Sequence, residues 1–323
     1  MACLTYPEDS IFLAPLAGYT DLAFRRACRR YGCRYAFTPL VEAGSIVYRT
    51  ERTQTAMIRG EDEDWLGVQL LGSRPELIAE AARYLNDLPF DVIDFNMGCP
   101  VRKVTKRGAG AALCETADLA ASCIEQIARQ VTVPVTAKIR IVSSGSLEAT
   151  VNLARTLAGA GIAALTIHGR TVEQVYSGPV ADTAIAAVRE AIDIPVIANG
   201  GVTDCCSAQS LRRRTGCDRI MIARGAIGNP WIFRSLAAGR DMPPSHQELC
   251  DILEEHVLGI VDLYGEKAGL RYARKIVAAY LCGRGYRRAL RAEVTSVSCC
   301  REFHKLLVKV RSEGPRNATT DLA

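Results

Sequence analysis

The chain has 323 residues, 49% hydrophobic and 23% charged, a globular composition with material for a large core and no apolar run long enough to span a bilayer. Its net charge of +5 is unevenly spread: 13 Lys and Arg stand against 4 Asp and Glu from Lys267 to Ala323, and 27 against 31 before that, so a +9 segment follows a −4 one. Thirteen cysteines, an odd number with no Cys-x-x-Cys pair, argue against a zinc or iron–sulfur framework and for reduced thiols in a cytoplasmic protein without a resident metal.

Length suggests one large domain plus a small one. The first nine residues carry no charged-then-apolar signal pattern. Ile11-Phe12-Leu13-Ala14 reads as a short strand ended by Pro15 and Gly18. Thr20-Asp21 then caps a helix through Tyr31, with Arg25, Arg26, Arg29 and Arg30 outward. Further strands are expected at 35–38, 66–71, 92–96, 135–140, 164–168, 195–199 and 219–223. Between them helices are expected at Pro75–Leu85 (with Ser73 and Glu76 as a capping box), Thr116–Gln130, Leu147–Ala160, Thr183–Ala191, Asp204–Arg214 and Trp231–Ala238. Eight short apolar strands, mostly followed by helices, indicate a parallel sheet buried on both faces. An α/β fold closed as a (β/α)8 TIM barrel fits this better than an open doubly wound sheet, since no Gly-x-Gly-x-x-Gly or Walker loop follows a strand.

The pattern changes around Gly239–Pro244. Beyond it lie only helical segments, Ser245–Leu263, Lys267–Leu281 and Arg287–Val310, then a frayed tail from Gly314. The expected domains are therefore a catalytic barrel over 1–238 and a basic, all-helical domain over 239–323. The basic end suits a polyanion, or is simply a solvated helical surface; charge alone weighs the two evenly.

The stretch Asp94-Phe95-Asn96-Met97-Gly98-Cys99-Pro100 ends the fourth of these strands in a turn forced by Gly98 and Pro100. That puts a thiol on a loop at a strand end, where it can meet a ligand. In a barrel, function gathers at the carboxyl ends of strands. Those ends read Pro15-Leu16-Ala17-Gly18, Gln69, Asn96 with Cys99, Lys138 with Arg140, His168 with Arg170, Asn199-Gly200-Gly201 and Ala223-Arg224-Gly225. Any one could be structural, and a lone lysine or histidine at a strand end more often makes a salt bridge or a satisfied core contact; together they line one face with cations, amides and a thiol. Gly200, Gly201 and Gly225 follow the last two strands, the usual phosphate position of this fold, though glycine also marks plain tight turns. Lys138 suits an anionic ring or oxygen, and Gln69 the edge of a heterocycle. Thiols ordinarily titrate near about 8.5, so a cysteine placed there has a proton to give.

These segments resemble the tRNA-dihydrouridine synthase family over roughly residues 11–235. The resemblance rests on Ala14-Pro15-Leu16-Ala17-Gly18-Tyr19-Thr20-Asp21, Val68-Gln69-Leu70, Asn96-Met97-Gly98-Cys99-Pro100, Lys106-Arg107-Gly108-Ala109-Gly110, Lys138-Ile139-Arg140, His168-Gly169-Arg170-Thr171, Ile197-Ala198-Asn199-Gly200-Gly201 and Arg224-Gly225-Ala226-Ile227-Gly228-Asn229-Pro230-Trp231. Arg271-Tyr272-Ala273-Arg274-Lys275 is similar to the family's bacterial B-type branch. The resemblance implies an FMN enzyme that uses NADPH or NADH to reduce a uridine of tRNA, and a chain that acts as a monomer off the membrane. It implies that Pro15, Leu16, Ala17 and Gln69 hold the isoalloxazine, that Lys138 and His168 contact flavin or uracil, and that Asn199, Gly200, Gly201, Ala223 and Arg224 take the phosphate end. Asn96 and Arg140 would orient the target base and Cys99 would be the proton donor, opposite the hydride. Gly201 stands where the family usually has Asp, Ala223 where Gly is usual, Ile141–Ser144 lacks a common Gly-Trp, and the aromatic after Gly178 is missing.

Three rivals remain. A flavin barrel acting on free pyrimidines, like dihydroorotate dehydrogenase, would not need the +9 extension. A non-redox phosphate-binding barrel would be colourless. An RNA-binding module that had lost catalysis would not need both Cys99 and Lys138.

Overall fold

The computed structural model describes residues 6–143 and 145–316. Nine strands are found among them: β1 (Ile11–Leu13), β2 (Tyr35–Phe37), β3 (Val41–Glu42), β4 (Leu66–Leu71), β5 (Val92–Met97), β6 (Val135–Arg140), β7 (Ala164–His168), β8 (Val196–Asn199) and β9 (Ile220–Ile222). All pairings are parallel, and a β2–β4 pairing closes eight of them into a TIM barrel, with β3 as an extra ribbon on β4. Each barrel strand falls on an expected apolar run. The short β3 and the helices Ala43–Val47 and Glu51–Met57 carry no such run, and the sequence reading assigns that stretch no structure.

Packing divides the described residues into two units. One holds the chain up to Asp21 together with Cys33–Ala223; the other holds Leu22–Gly32 and the chain from Arg224 onward. In the barrel unit the inner face is split along its axis. Toward the amino ends of the strands it is aromatic: Tyr6 meets Phe12, Tyr35 and Trp65 edge-on at 4.7, 5.5 and 6.0 Å. Gly67 points into this plug because a Cβ there would sit 2.5 Å from the Phe37 ring. Toward the carboxyl ends the inner face turns polar, with Gln69, Asp94, Asn96, Thr136, Arg140, Thr166, His168 and Asn199 all buried. Side chains alternate along a strand, so Val135, Ala137 and Ile139 face outward as Thr136, Lys138 and Arg140 face inward.

Two local expectations are corrected. Ser73 does not cap the helix Pro75–Asn86: its N-cap is Arg74, without a side-chain bond, and the Ser73 hydroxyl donates to the Arg107 carbonyl at 2.7 Å. Pro75 at the first helical position sets that start. Arg25, expected to face outward, is fully buried. Its helix, Leu22–Arg29, packs on the helix His246–Tyr264 of the second unit, where Phe24 stacks on His256 at 5.5 Å and Gly259 leaves room for Ala23.

The second unit is built of helices, including Ile232–Ala238, His246–Tyr264, Glu266–Leu281, Arg288–Glu293 and Cys300–Glu313. His256 lies in its core, held neutral by burial, which pushes it down to about 3, beside the Tyr280 hydroxyl at 3.2 Å. Arg311 ties the last helix to Asp251 and Glu254 at 3.0 and 2.8 Å. Of the expected frayed tail, 317–323 lies outside the described residues. No described helix is long and apolar enough to cross a membrane.

Candidate active site

Strand register sets the site. Gln69 lies opposite Asp94, Asn96 opposite Lys138, Arg140 opposite His168, and His168 opposite Asn199. These side chains therefore form a ring inside the carboxyl end of one barrel, from residues far apart in sequence.

Asp94 lies beneath this ring. Its two oxygens accept from Gln69 Nε2 and Thr136 Oγ1, both at 2.7 Å. Burial pushes its pKa up to about 6, against the two hydrogen bonds and the Lys138 charge. Gln69 Oε1 accepts from Asn96 Nδ2 at 2.7 Å, and Asn96 Oδ1 accepts from the backbone N–H groups of Gly98 and Cys99 at 3.2 and 3.1 Å. Gln69 is fully buried, with one N–H and one lone pair of its amide still to offer.

Lys138 is half-buried and donates to Asn199 Oδ1 at 3.0 Å; Asn199 Nδ2 donates to the Met221 carbonyl at 2.7 Å. Burial pulls Lys138 down to about 8, with Asp94 raising it and Arg140 lowering it further. Between those two values both Asp94 and Lys138 are ionised. Arg140 donates to the carbonyls of Gly98 at 2.7 Å, Thr171 at 3.1 Å and Val175 at 2.8 Å, and lies over the Tyr176 ring at 5.5 Å. It thus clips two loops to β6. Burial, opposed chiefly by Tyr176 and Cys99, lowers its pKa. His168 Nε2 meets Arg170 Nη1 at 3.3 Å, and Arg170 also donates to the Gly178 carbonyl.

Cys99 is half-buried on its loop. Its carbonyl accepts from Ala111 N–H at 3.0 Å. Gly110, at φ +61°, makes that approach possible: a Cβ there would stand 2.8 Å from the Cys99 oxygen. The last glycine of Lys106–Gly110 thus serves the thiol loop. Cys114, nearby in sequence, is a different thiol: burial pushes it up to about 11 and it donates to the Met97 carbonyl. Arg102, Lys103 and Lys106 are exposed beside Cys99.

At the end of β1, Thr20 closes a turn on Leu16, taking its N–H at 2.9 Å, so that Pro15 and Leu16 are half-buried and Ala17 exposed. Gly200 and Gly201 follow β8 at φ +135° and +72°, backbone that side chains rarely tolerate, and a Cβ on Gly200 would press Val180 and His168. Ala223 lies half-buried against the inner core. Arg224 opens the second unit, exposed in the short turn Arg224–Ala226. The sequence reading gave Asp94 and Thr136 no role. Their signal is the strict alternation of polar residues on two strands that burial on both faces should have made apolar.

A family model described as dihydrouridine synthase (Dus) matches residues 12–313. The chain belongs to the dihydrouridine synthase family. It is 37% identical over 281 residues to tRNA-dihydrouridine synthase B of Pasteurella multocida, covering 85% of each chain. It is 35% identical over 305 residues to tRNA-dihydrouridine synthase B of Shewanella oneidensis, covering 93% of this chain and 94% of the relative. Within the dihydrouridine synthases it therefore stands with the bacterial B-type branch that Arg271–Lys275 resembles. The structure of histamine dehydrogenase from Rhizobium sp. 4-9 matches with a TM-score of 0.55 at 15% identity, over 83% of this chain and 49% of that one, a likeness of fold alone.

Proposed function

We propose that this dihydrouridine synthase is an FMN-dependent, NADPH-driven enzyme that reduces the C5–C6 double bond of a uridine in tRNA. The observation that carries the reading is the ring of Gln69, Asn96, Lys138, Arg140, His168 and Asn199 within one barrel mouth, with the Cys99 loop tied to it. The site fits a flavin mononucleotide on two grounds. The left-handed turn at Gly200 and Gly201 is a cradle that a Cβ on Gly200 would crowd, suited to a phosphate with Asn199 and Ala223 beside it; Arg224, next in sequence, would add charge. Lys138 is a half-open cation on the polar inner face, suited to an electron-rich ring.

Pro15, Leu16, Ala17 and Gln69 would hold the flavin ring, Lys138 and His168 its polar edge or the uracil, and Asn96 and Arg140 the target base. When bound, the reduced flavin supplies the hydride, to C6 of the uracil. As charge develops toward C5 and O4, Lys138 and Arg140 stabilise it, and Cys99 gives its proton to C5 from the opposite face. A uridine of folded RNA must swing out of its stack to enter the mouth. Arg102, Lys103 and Lys106, and the basic helices of the second unit, would hold RNA phosphates meanwhile.

The test is incubation of the purified protein with unmodified tRNA, FMN and NADPH, followed by dihydrouridine mapping. Reduction confined to one uridine of tRNA is expected. Reduction of free uracil or uridine with tRNA left intact would replace this reading by a pyrimidine reductase. A protein that takes up no flavin would remove both.

A further inference from the structure

The Cys99 loop is held by hydrogen bonds whose direction is set at each link. Two backbone N–H groups converge on Asn96 Oδ1, so the other end of that amide, Nδ2, must face an acceptor, Gln69 Oε1. Gln69 must then turn Nε2 toward its remaining neighbour, which has to accept as well. That neighbour is Asp94 Oδ2, at 2.7 Å, on an adjacent strand and opposite Gln69 in register. The other Asp94 oxygen takes the Thr136 hydroxyl at 2.7 Å. A carboxylate cannot donate, so it fixes both amides and no flip is free. Asp94 is 1% exposed, and these bonds run from the barrel core to the loop that carries the thiol.

We propose that Asp94 is a positioning residue: it anchors a one-directional hydrogen-bond chain through Gln69 and Asn96 that sets where Cys99 stands. The consequence for turnover rests on the role given to Cys99 above; the geometry of the loop does not. Asp94→Leu removes the acceptor at similar volume and leaves the Gln69 amide free to turn. Asp94→Asn keeps an acceptor: its Oδ1 can take the Gln69 N–H while its Nδ2 donates to the Thr136 hydroxyl, which can accept.

The experiment follows alkylation of Cys99 by iodoacetamide in the purified protein, by peptide mass mapping, with exposed Cys206 as internal reference. Alongside it, kcat and KM for tRNA are measured. Asp94→Leu should change the Cys99-to-Cys206 rate ratio by about tenfold and lower kcat by about 10²-fold. Asp94→Asn should keep the ratio close to wild type. A normal ratio in Asp94→Leu, or an Asp94→Asn ratio no closer to wild type than that of Asp94→Leu, overturns the proposal. Should Asp94→Leu not fold, Asp94→Ala deletes the same acceptor and must show the same change in alkylation; a normal ratio there overturns it too. Wild-type protein that alkylates as described but reduces no tRNA would sink the synthase reading and leave the positioning role intact.

Discussion

Asp94 and Lys138 share a low-dielectric site, and each is pushed toward its neutral form, Asp94 up to about 6 and Lys138 down to about 8. The charged pair is therefore kept in a window around neutral pH. A pH profile of kcat/KM with limbs near these two values is expected. Asp94→Asn should remove the acid limb and move the alkaline limb to lower pH, because the Asp94 charge is what holds Lys138 up. An alkaline limb that stays in place would assign it to another group. The stability consequence has the same origin. The Asp94 contribution is present below its ordinary value of 3.8 and lost as pH rises through about 6; that of Lys138 is present above 10.5 and lost as pH falls through about 8. At pH 7 both are at their least favourable. The double variant Asp94→Asn, Lys138→Met should then be inactive yet melt at or above wild type, by the equivalent of up to about 4 kcal/mol; calorimetry at pH 7 and 5 checks it. Cys99→Ala should keep flavin and tRNA binding and lose about two to four powers of ten in turnover. Undiminished single-turnover reduction would remove the thiol from the chemistry.

On the scale of elements, two glycines show how one backbone makes room for another group. Gly67 lies on β4 against the aromatic plug, where Gly67→Ala would drive a methyl into Phe37 and cost about 1–3 kcal/mol by overpacking. A lowered melting temperature with little change in the residual activity of the folded fraction is expected. Gly110 lies against the Cys99 loop, so Gly110→Ala should do the reverse: modest loss of stability, large loss of kcat. The motif Lys106–Gly110 was recognisable in sequence, but what its last glycine touches was not. The strands were legible because burial makes most of them short apolar runs, β5 and β6 keeping an apolar residue at every second position. The ribbon β3 and the helices of 43–57 were not, because they are short and largely polar, and tertiary contacts hold them.

At the scale of the whole molecule, the chain divides its charge: the barrel's part is slightly acidic overall, and the end is basic. In the second unit Arg287 and Arg288 are exposed, and Arg288 and Arg291 border a shallow cavity of about 370 Å³ with Ala278, Cys282 and Ala292. Charge reversal at Arg287, Arg288 and Arg291 should weaken tRNA binding and flatten its dependence on salt, by about one unit of slope for each phosphate no longer gripped. Filter binding over a salt series measures this; an unchanged slope would place the RNA-binding surface on other residues. Packing also regroups the chain. The pattern of apolar runs changes near Gly239, whereas packing groups everything from Arg224 with the helix Leu22–Arg29. Buried Arg25 follows from that: its helix lies among helices, not on a solvent face.

What the sequence by itself determined is what depends on local composition and spacing: eight parallel strands, the turn that carries Cys99, and the set of polar residues at strand ends. Which way each amide points, which carboxylate anchors them, and which helix joins which unit were decided only in the folded chain. Those are consequences of register and close packing between residues far apart in sequence, and no local pattern encodes them.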